Sequence, residues 1–167
     1  IGVPKTIDND LSFIEKSFGF ETSVYTACQI ISSAHWEAKG AFNGVALIKV
    51  MGRDSGFIAA ASTLANPVVD FCLVPESEFS LEGEHGFLKA LERRLDKSNH
   101  AVVVVAEGAG QNLFKEAKER KDASGNVLHS DIGLFLKENI TSYFNKISKD
   151  YAIRYFDPSY YIRSAPS

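Results

Sequence analysis

At 167 residues and 45% hydrophobic content, the chain carries apolar material for one ordinary core. A net charge of −3 without any basic run argues against nucleic acid as a partner. No apolar window approaches the length of a membrane span, and the two cysteines, Cys28 and Cys72, fall inside apolar segments, which predicts reduced, buried thiols rather than a disulfide framework.

The first ten residues, Ile1 to Asp10, concentrate chemistry. Lys5, Thr6, Asp8 and Asp10 stand within six residues, directly after a Gly-Val-Pro turn signal. Asp8 and Asp10 alternate with Asn9, so an extended segment projects both carboxylates to one side. Carboxylate oxygens serve hard Mg²⁺ and also accept a proton from a hydroxyl, which suits a base beside a cation ligand. The plainer alternative is an Asx-rich turn that only satisfies backbone N–H groups.

From Phe18 onward the apolar spacing becomes helical. Phe20, Val24, Ala27, Cys28, Ile31 and Ala34 recur at intervals of three and four, predicting a helix from about Glu21 to Lys39 that ends at Gly40. His35 and Trp36 near its end read as packing residues. Gly44 to Met51 then reads as a buried strand, leading through Gly52-Arg53-Asp54-Ser55-Gly56 into an apolar helix from Phe57 to Leu64. Ligands of parallel α/β sheets sit where strands end and helices begin. Gly52 and Gly56 let the backbone approach such a ligand, the helix N-terminus attracts anions, and Arg53 offers a fork suited to phosphate; an ordinary surface ion pair is the alternative.

Phe71 to Val74 predicts a second short strand, followed by Pro75 and Glu76. A helix from about Gly86 to Leu95 turns Phe87, Leu88, Leu91 and Leu95 inward. His100 to Ala106 is the clearest strand, with four consecutive valines, and it runs into Glu107-Gly-Ala-Gly. A carboxylate at the end of such a strand is placed to receive sugar hydroxyls, or to cap nearby amides. Gln111 to Ser130 reads as a surface loop, with a short exposed helix in its charged half from Lys115 to Asp122. Asp131 caps a helix running to about Lys146, with Ile132, Leu136, Ile140 and Phe144 inward. Tyr151 to Phe156 reads as a last strand. Beyond it Arg154, Arg163 and Tyr160 supply two forks and a hydroxyl, a set that suits a phosphate monoester or, more plainly, a solvated surface. The alternation as a whole predicts an α/β fold: a doubly wound, mainly parallel sheet of about four buried strands with helices on both faces.

Four runs in this order resemble the motifs of the 6-phosphofructokinases: PKTIDND at Pro4 to Asp10, MGRxSGFIA at Met51 to Ala59, the strand ending in Glu107, and DPSYxIR at Asp157 to Arg163. The resemblance spans the chain from Lys5 to Arg163. It implies transfer of a phosphoryl group from ATP, with Mg²⁺, to the 1-hydroxyl of fructose 6-phosphate. Asp8 becomes the base and Arg53 the group facing the phosphoryl in flight. Met51, Gly52 and Glu107 become sugar contacts; Arg154, Tyr160 and Arg163 the holders of the 6-phosphate; Thr6, Ile7, Tyr161 and Ile162 further substrate contacts; Asp10 a metal ligand; and Lys5 a residue on the donor side. Glu76 resembles a Pro-Glu motif near an effector site and is left outside the active site.

Two departures from the short bacterial enzymes matter: Lys5 stands where those carry Gly, and Gly44 where they carry an interface Arg. Lys5 is expected in pyrophosphate-dependent members and in the plant and trypanosomatid ATP type. Lys16 to Phe20, Val105 to Gln111 and Tyr155 to Tyr160 resemble the latter more. The resemblance therefore favours ATP, with pyrophosphate or a non-catalytic regulatory subunit as alternatives. It also implies a homo-oligomer, tetramer or dimer, in the cytoplasm, a plastid or a glycosome. The chain opens without Met on a motif and stops in Ser-Ala-Pro-Ser, so residues 1–167 are expected to be a single fragment, the catalytic loop and sugar-phosphate lobe of a larger two-lobe enzyme, inactive alone.

Overall fold

A computed structural model of the chain describes residues 1–114, 120–121 and 127–166. Its centre is a four-stranded parallel sheet, ordered β2-β3-β1-β6, made by β1 (Gly44–Val50), β2 (Phe71–Leu73), β3 (His100–Ala106) and β6 (Ala152–Phe156). β1 and β3 pair over their full lengths, from Gly44 with His100 to Val50 with Ala106. Both are β-branched, apolar runs buried on both faces, as the inner strands of a covered parallel sheet must be. The edge strands are less covered than the sequence predicts: β2 is three residues long, and β6 is only partly buried along its whole length.

Period-two alternation divides the core into two layers. On one face Val45, Leu47, Val103 and Val105 pack beneath α3 (Phe87–Ser98) and α4 (Ile132–Lys146). On the other, Ala46, Ile48, Val50, Val102 and Val104 pack beneath α1 (Phe20–Lys39), α2 (Phe57–Leu64) and the short α5 (Ser159–Ser164). The predicted doubly wound arrangement with helices on both faces is present.

The helices bury the faces that their spacing predicts, with one shift. In α3 and α4 all the expected inward residues are buried, and the Asp131 side chain caps α4 by accepting from the Leu134 N–H at 3.1 Å. In α1 the buried stripe is Ser23, Ala27, Ile31, Ala34 and Ala38. Phe20, Val24 and Cys28 sit one position around, bordering an apolar groove against Ala61 and Ala65 of α2. Small residues are preferred beneath α1 because they let it approach the sheet and α2 closely. The two thiols are free and half-buried rather than fully enclosed, and burial pushes both up from the ordinary cysteine value.

In the expected surface loop, a single 3-10 turn (Gln111–Leu113) is followed by an antiparallel pair, β4 (Arg120–Lys121) and β5 (Val127–Leu128). Arg120 and Lys121 are thus strand, not helix; the remainder of the helix predicted for Lys115 to Asp122 lies outside the described residues. Among the described residues no helix is long and apolar enough to cross a membrane.

Phe144 is the largest of the fully buried side chains, packed against Tyr143 and Tyr151. Phe144→Ala is expected to cost about 3–5 kcal/mol in chemical denaturation, whereas Leu134→Ala, on an exposed position of the same helix, should cost less than about 1 kcal/mol. Equal losses would show that α4 does not anchor its layer through that stripe.

Candidate active site at the ends of β1 and β3

β1 and β3 are neighbours, yet the chain leaves them in opposite directions. From β1 it passes through α2 on one face to the edge strand β2; from β3 it passes through α4 on the other face to the edge strand β6. A crevice opens where connections diverge in this way, outside the carboxyl ends of the strands. Met51 to Gly56 and Glu107 to Gly110 flank it.

The turn after β1 is strained and braced. Gly52 has φ +154° and Arg53 φ +48°, the latter a left-handed conformation that a non-glycine residue holds only when its surroundings enforce it. Ser55 closes the turn, its N–H donating to the Gly52 carbonyl at 2.8 Å and its hydroxyl to the same oxygen at 2.9 Å. Glu107 supplies the brace. Its Oε1 accepts from the Gly52 N–H at 3.2 Å and from the Arg53 N–H at 2.7 Å. Gly108 is required beside it, because a Cβ there would stand 2.0 Å from the Arg53 carbonyl. Glu107 therefore spends one oxygen on the amide-capping role weighed above, leaving the other for a ligand.

The Ile1 to Asp10 segment departs from the extended backbone that its alternation predicts. Asn9 has φ +59°, its Oδ1 accepts from the Ser17 N–H at 2.6 Å, and its Nδ2 donates to the Glu15 carbonyl at 3.1 Å. Asn9, not an aspartate, does the Asx work. The Ser17 hydroxyl accepts from the Thr6 N–H at 2.9 Å, Thr6 Oγ1 accepts from the Asp8 N–H at 3.3 Å, and the Ser55 hydroxyl reaches the Asp8 carbonyl at 3.5 Å. The consequence is that Asp8 turns inward, 6% exposed, while Asp10 stays at the surface.

Asp8 Oδ1 is buried with no hydrogen-bond partner. Burial first, then the negative charges of Asp10 and Glu107, raise its pKa above the ordinary aspartate value, against the pull of Arg53 and Arg163. One carboxyl from the first ten residues, two residues from the ends of β1 and β3, and one from α5 thus act on a single crevice. Such a raised carboxylate with an open oxygen is equipped to accept a proton, and the two guanidinium groups to hold phosphoryl oxygens.

The remaining predicted residues divide. Tyr160 and Tyr161 are exposed on α5 with Arg163, and Lys5 is exposed with its ammonium over Gly19. Met51 and Ile162, at 2% and 1% exposure, bury their side chains in the α1/α2 layer, against which Ile7 also packs, so at these positions it is the backbone that is left to face a ligand. Arg154 also stands apart. It is in register with Ala46, midway along the edge strand, and pairs with Glu37 at 3.3 Å. The anion expected at the N-terminus of α2 is the protein's own: Glu76 Oε1 accepts from the Gly56 N–H at 2.7 Å. Sequence reasoning missed Ser17 and Ser55, whose hydroxyls fix the Asp8 loop; a serine carries no long-range signal beyond its place in a motif.

Among the described residues no three His, Cys, Asp or Glu side chains gather as a metal centre. The charged oxygens near Asp8 are the carboxylates of Asp10 and Glu107, which suit a hard cation that keeps waters and takes its other ligands from a bound phosphate.

The family profile described as Phosphofructokinase matches residues 1–164. The chain is 51% identical over 173 residues to the ATP-dependent 6-phosphofructokinase of Borreliella burgdorferi, covering 100% of the chain and 39% of that protein. It is 50% identical over 169 residues to ATP-dependent 6-phosphofructokinase 7 of Arabidopsis thaliana, covering 100% of the chain and 35% of that protein. Among solved structures, the pyrophosphate-dependent phosphofructokinase of Marinobacter aquaeolei superimposes with a TM-score of 0.64 at 27% identity, over 97% of this chain and 37% of that one. The chain therefore spans less than half the length of the relatives it matches, and it belongs to the phosphofructokinase family.

Proposed function

We propose that this chain is the catalytic loop and sugar-phosphate lobe of a larger two-lobe 6-phosphofructokinase. The reaction is phosphoryl transfer from ATP to the 1-hydroxyl of fructose 6-phosphate, giving the 1,6-bisphosphate of glycolysis. The observation that carries this reading is the burial of Asp8 with one oxygen unpartnered and the charges of Arg53, Arg163, Asp10 and Glu107 all acting on it. Identity of 51% and 50% along the whole of this chain to relatives named ATP-dependent supports ATP. Pyrophosphate is the second reading, supported by Lys5 and by the pyrophosphate-dependent solved relative. Retention of both Asp8 and Arg53 supports catalysis over a silent regulatory subunit.

In this mechanism Asp8 Oδ1 takes the proton of the sugar 1-hydroxyl as the oxygen attacks the γ-phosphorus and the bond to the leaving nucleotide oxygen breaks. Arg53 stabilises charge on the equatorial phosphoryl oxygens, and its left-handed backbone, clamped by Glu107, fixes where the guanidinium starts. The second oxygen of Glu107 and the backbone of Met51 and Gly52 receive the sugar. Arg163 and Tyr160 hold the 6-phosphate. Asp10 would hold Mg²⁺, which would supply neutralisation of part of the donor's charge. Lys5 faces the donor. An oligomer, tetramer or dimer, in the cytoplasm completes the reading; exposed apolar residues around α1 and α2, among them Phe18, Tyr25 and Leu64, support further protein packing there, and unpaired cysteines support a reducing compartment.

Asp8→Asn in the complete enzyme should lower kcat about 10³-fold and leave the KM for fructose 6-phosphate within about twofold. A loss smaller than tenfold in steady-state assays would remove Asp8 as the base.

The same variant should melt higher. Above its raised folded pKa, ionised Asp8 destabilises the fold; below the unfolded value of 3.8 both states are protonated and the effect is gone. Calorimetry should thus show a gain in Tm at neutral pH that shrinks on acidification, and a loss at neutral pH contradicts it.

Arg163→Ala should raise the KM for fructose 6-phosphate about tenfold or more, with kcat changed much less, since a charge-assisted phosphate contact contributes about 1.5–3 kcal/mol. An unchanged KM takes Arg163 out of the phosphate site.

A further inference from the structure

Lys49 precedes Arg53 by four residues on β1, and its side chain points to the α4 face, away from the layer that carries Ile48 and Val50. It is 12% exposed. Its ammonium lies 2.9 Å from Asp157 Oδ2 and 3.1 Å from Asp131 Oδ2. Each carboxylate divides its work. The other oxygen of Asp157 receives the Ser159 N–H at 3.2 Å and the Ser159 hydroxyl at 2.6 Å, starting α5. The other oxygen of Asp131 caps α4 and accepts from the Tyr155 hydroxyl at 3.3 Å. One ammonium therefore joins the strand that leads into the Arg53 turn, the start of α4, and the β6–α5 turn.

We propose that Lys49 is a positioning residue for sugar-phosphate binding, tying α5, and with it Arg163, to the strand that delivers Arg53. This rests on Arg163 holding the 6-phosphate, as proposed above.

α5 is six residues long, too short to hold its own shape in water. Of the side chains it presents, Tyr160, Tyr161 and Arg163 are exposed and Ile162 alone is buried. Its place is therefore set by Pro158 and Ile162 in the core and by Asp157 on Lys49. Burial works against the Lys49 charge, but the hydrogen bonds it donates to Asp157 and Asp131 outweigh it and hold its pKa above the ordinary lysine value, so the tie stays ionic across the physiological range. The groups facing Lys49 are Asp131, Asp157 and Tyr155, and burial together with Asp131 and Asp157 keeps the phenol protonated, its pKa raised to about 12. Without the ammonium, two carboxylates are left facing one another and the turn bearing Arg163 is pushed outward. Asp8 and Arg53 are held by other bonds, through Ser17, Ser55 and Glu107. Loss of Lys49 should thus weaken sugar-phosphate binding and leave the chemical step in place.

The test is steady-state kinetics on the complete enzyme. Lys49→Met should raise the KM for fructose 6-phosphate about tenfold, with kcat and the nucleotide KM within about twofold. Lys49→Arg should recover most of that loss. Combining Lys49→Met with Arg163→Ala should raise KM little beyond Arg163→Ala alone, because the two act through one contact. Asp157→Asn, which keeps an acceptor for Ser159, should give a smaller rise in the same KM and decides the matter if Lys49→Met does not fold. If Arg163→Ala raises KM while Lys49→Met, or Asp157→Asn in its place, does not, the positioning role is overturned and the phosphate site stands. If in the Lys49 variant kcat falls and both Michaelis constants rise together, its role is general stability and the proposal is overturned. If Arg163→Ala itself leaves KM unchanged, the phosphate site falls, and the proposal with it.

Discussion

A carboxylate buried with an empty oxygen is the constraint around which this fold is arranged. Left to itself Asp8 would turn to water or take a proton, because an ionised oxygen without a hydrogen bond is disfavoured in the interior. What keeps it in place is backbone and not charge. Asn9 takes a left-handed turn locked to Ser17, Thr6 holds the Asp8 amide, and Ser55 reaches its carbonyl from the turn after β1. The side chain is positioned by three neighbours that never touch its Oδ1. Arg53 and Arg163 lower the cost of the charge without pairing it, which is the difference between an available base and a structural ion pair.

The divergence of β1 and β3 makes that arrangement possible. Were both strands followed by helices on one face, their ends would be roofed over, and neither Glu107 nor Arg53 would meet a ligand. Because α2 and α4 leave on opposite faces, the strand ends are open, and the bracing between them is done by one glutamate oxygen and one glycine contact. Preorganisation of this kind lets a transition-state contact form without reorganising the site during reaction.

Most of the fold could be read from the chain because it is written in period. Four valines in β3, the three-and-four spacing in α3 and α4, and Asp131 ahead of its helix each specify one element by a local rule. The misreadings occur where tertiary contacts override that rule. Alternation at Asp8 and Asp10 predicts two carboxylates on one side, but Asn9 breaks the extended backbone, so one is buried and the other exposed. A motif also does not tell side chain from backbone: Ile162 and Met51 put their side chains in the core, which leaves their backbone groups to face a ligand. Arg154 and Arg163 look equivalent in sequence. Only the register of β6 against β1 separates them, setting Arg154 beside Ala46 and bringing Arg163 to the strand ends.

The treatment of helix N-termini completes the logic of phosphate recognition. α2 begins directly behind the Arg53 turn, and a helix start there is an obvious anion site. The chain closes it with Glu76. α4 is closed in the same way by Asp131, and Lys49 then balances that carboxylate. Both dipoles are spent inside the protein, which leaves the guanidinium groups of the crevice as the proposed partners of anionic oxygens. Guanidinium offers planar, bidentate geometry that a helix terminus lacks. Its weakness is reach, since a long side chain is only as well placed as the backbone beneath it. Arg53 meets that need with a strained turn clamped by Glu107, and Arg163 with a short helix fastened at Asp157, so in both cases a carboxylate fixes the backbone of the arginine proposed to bind phosphate.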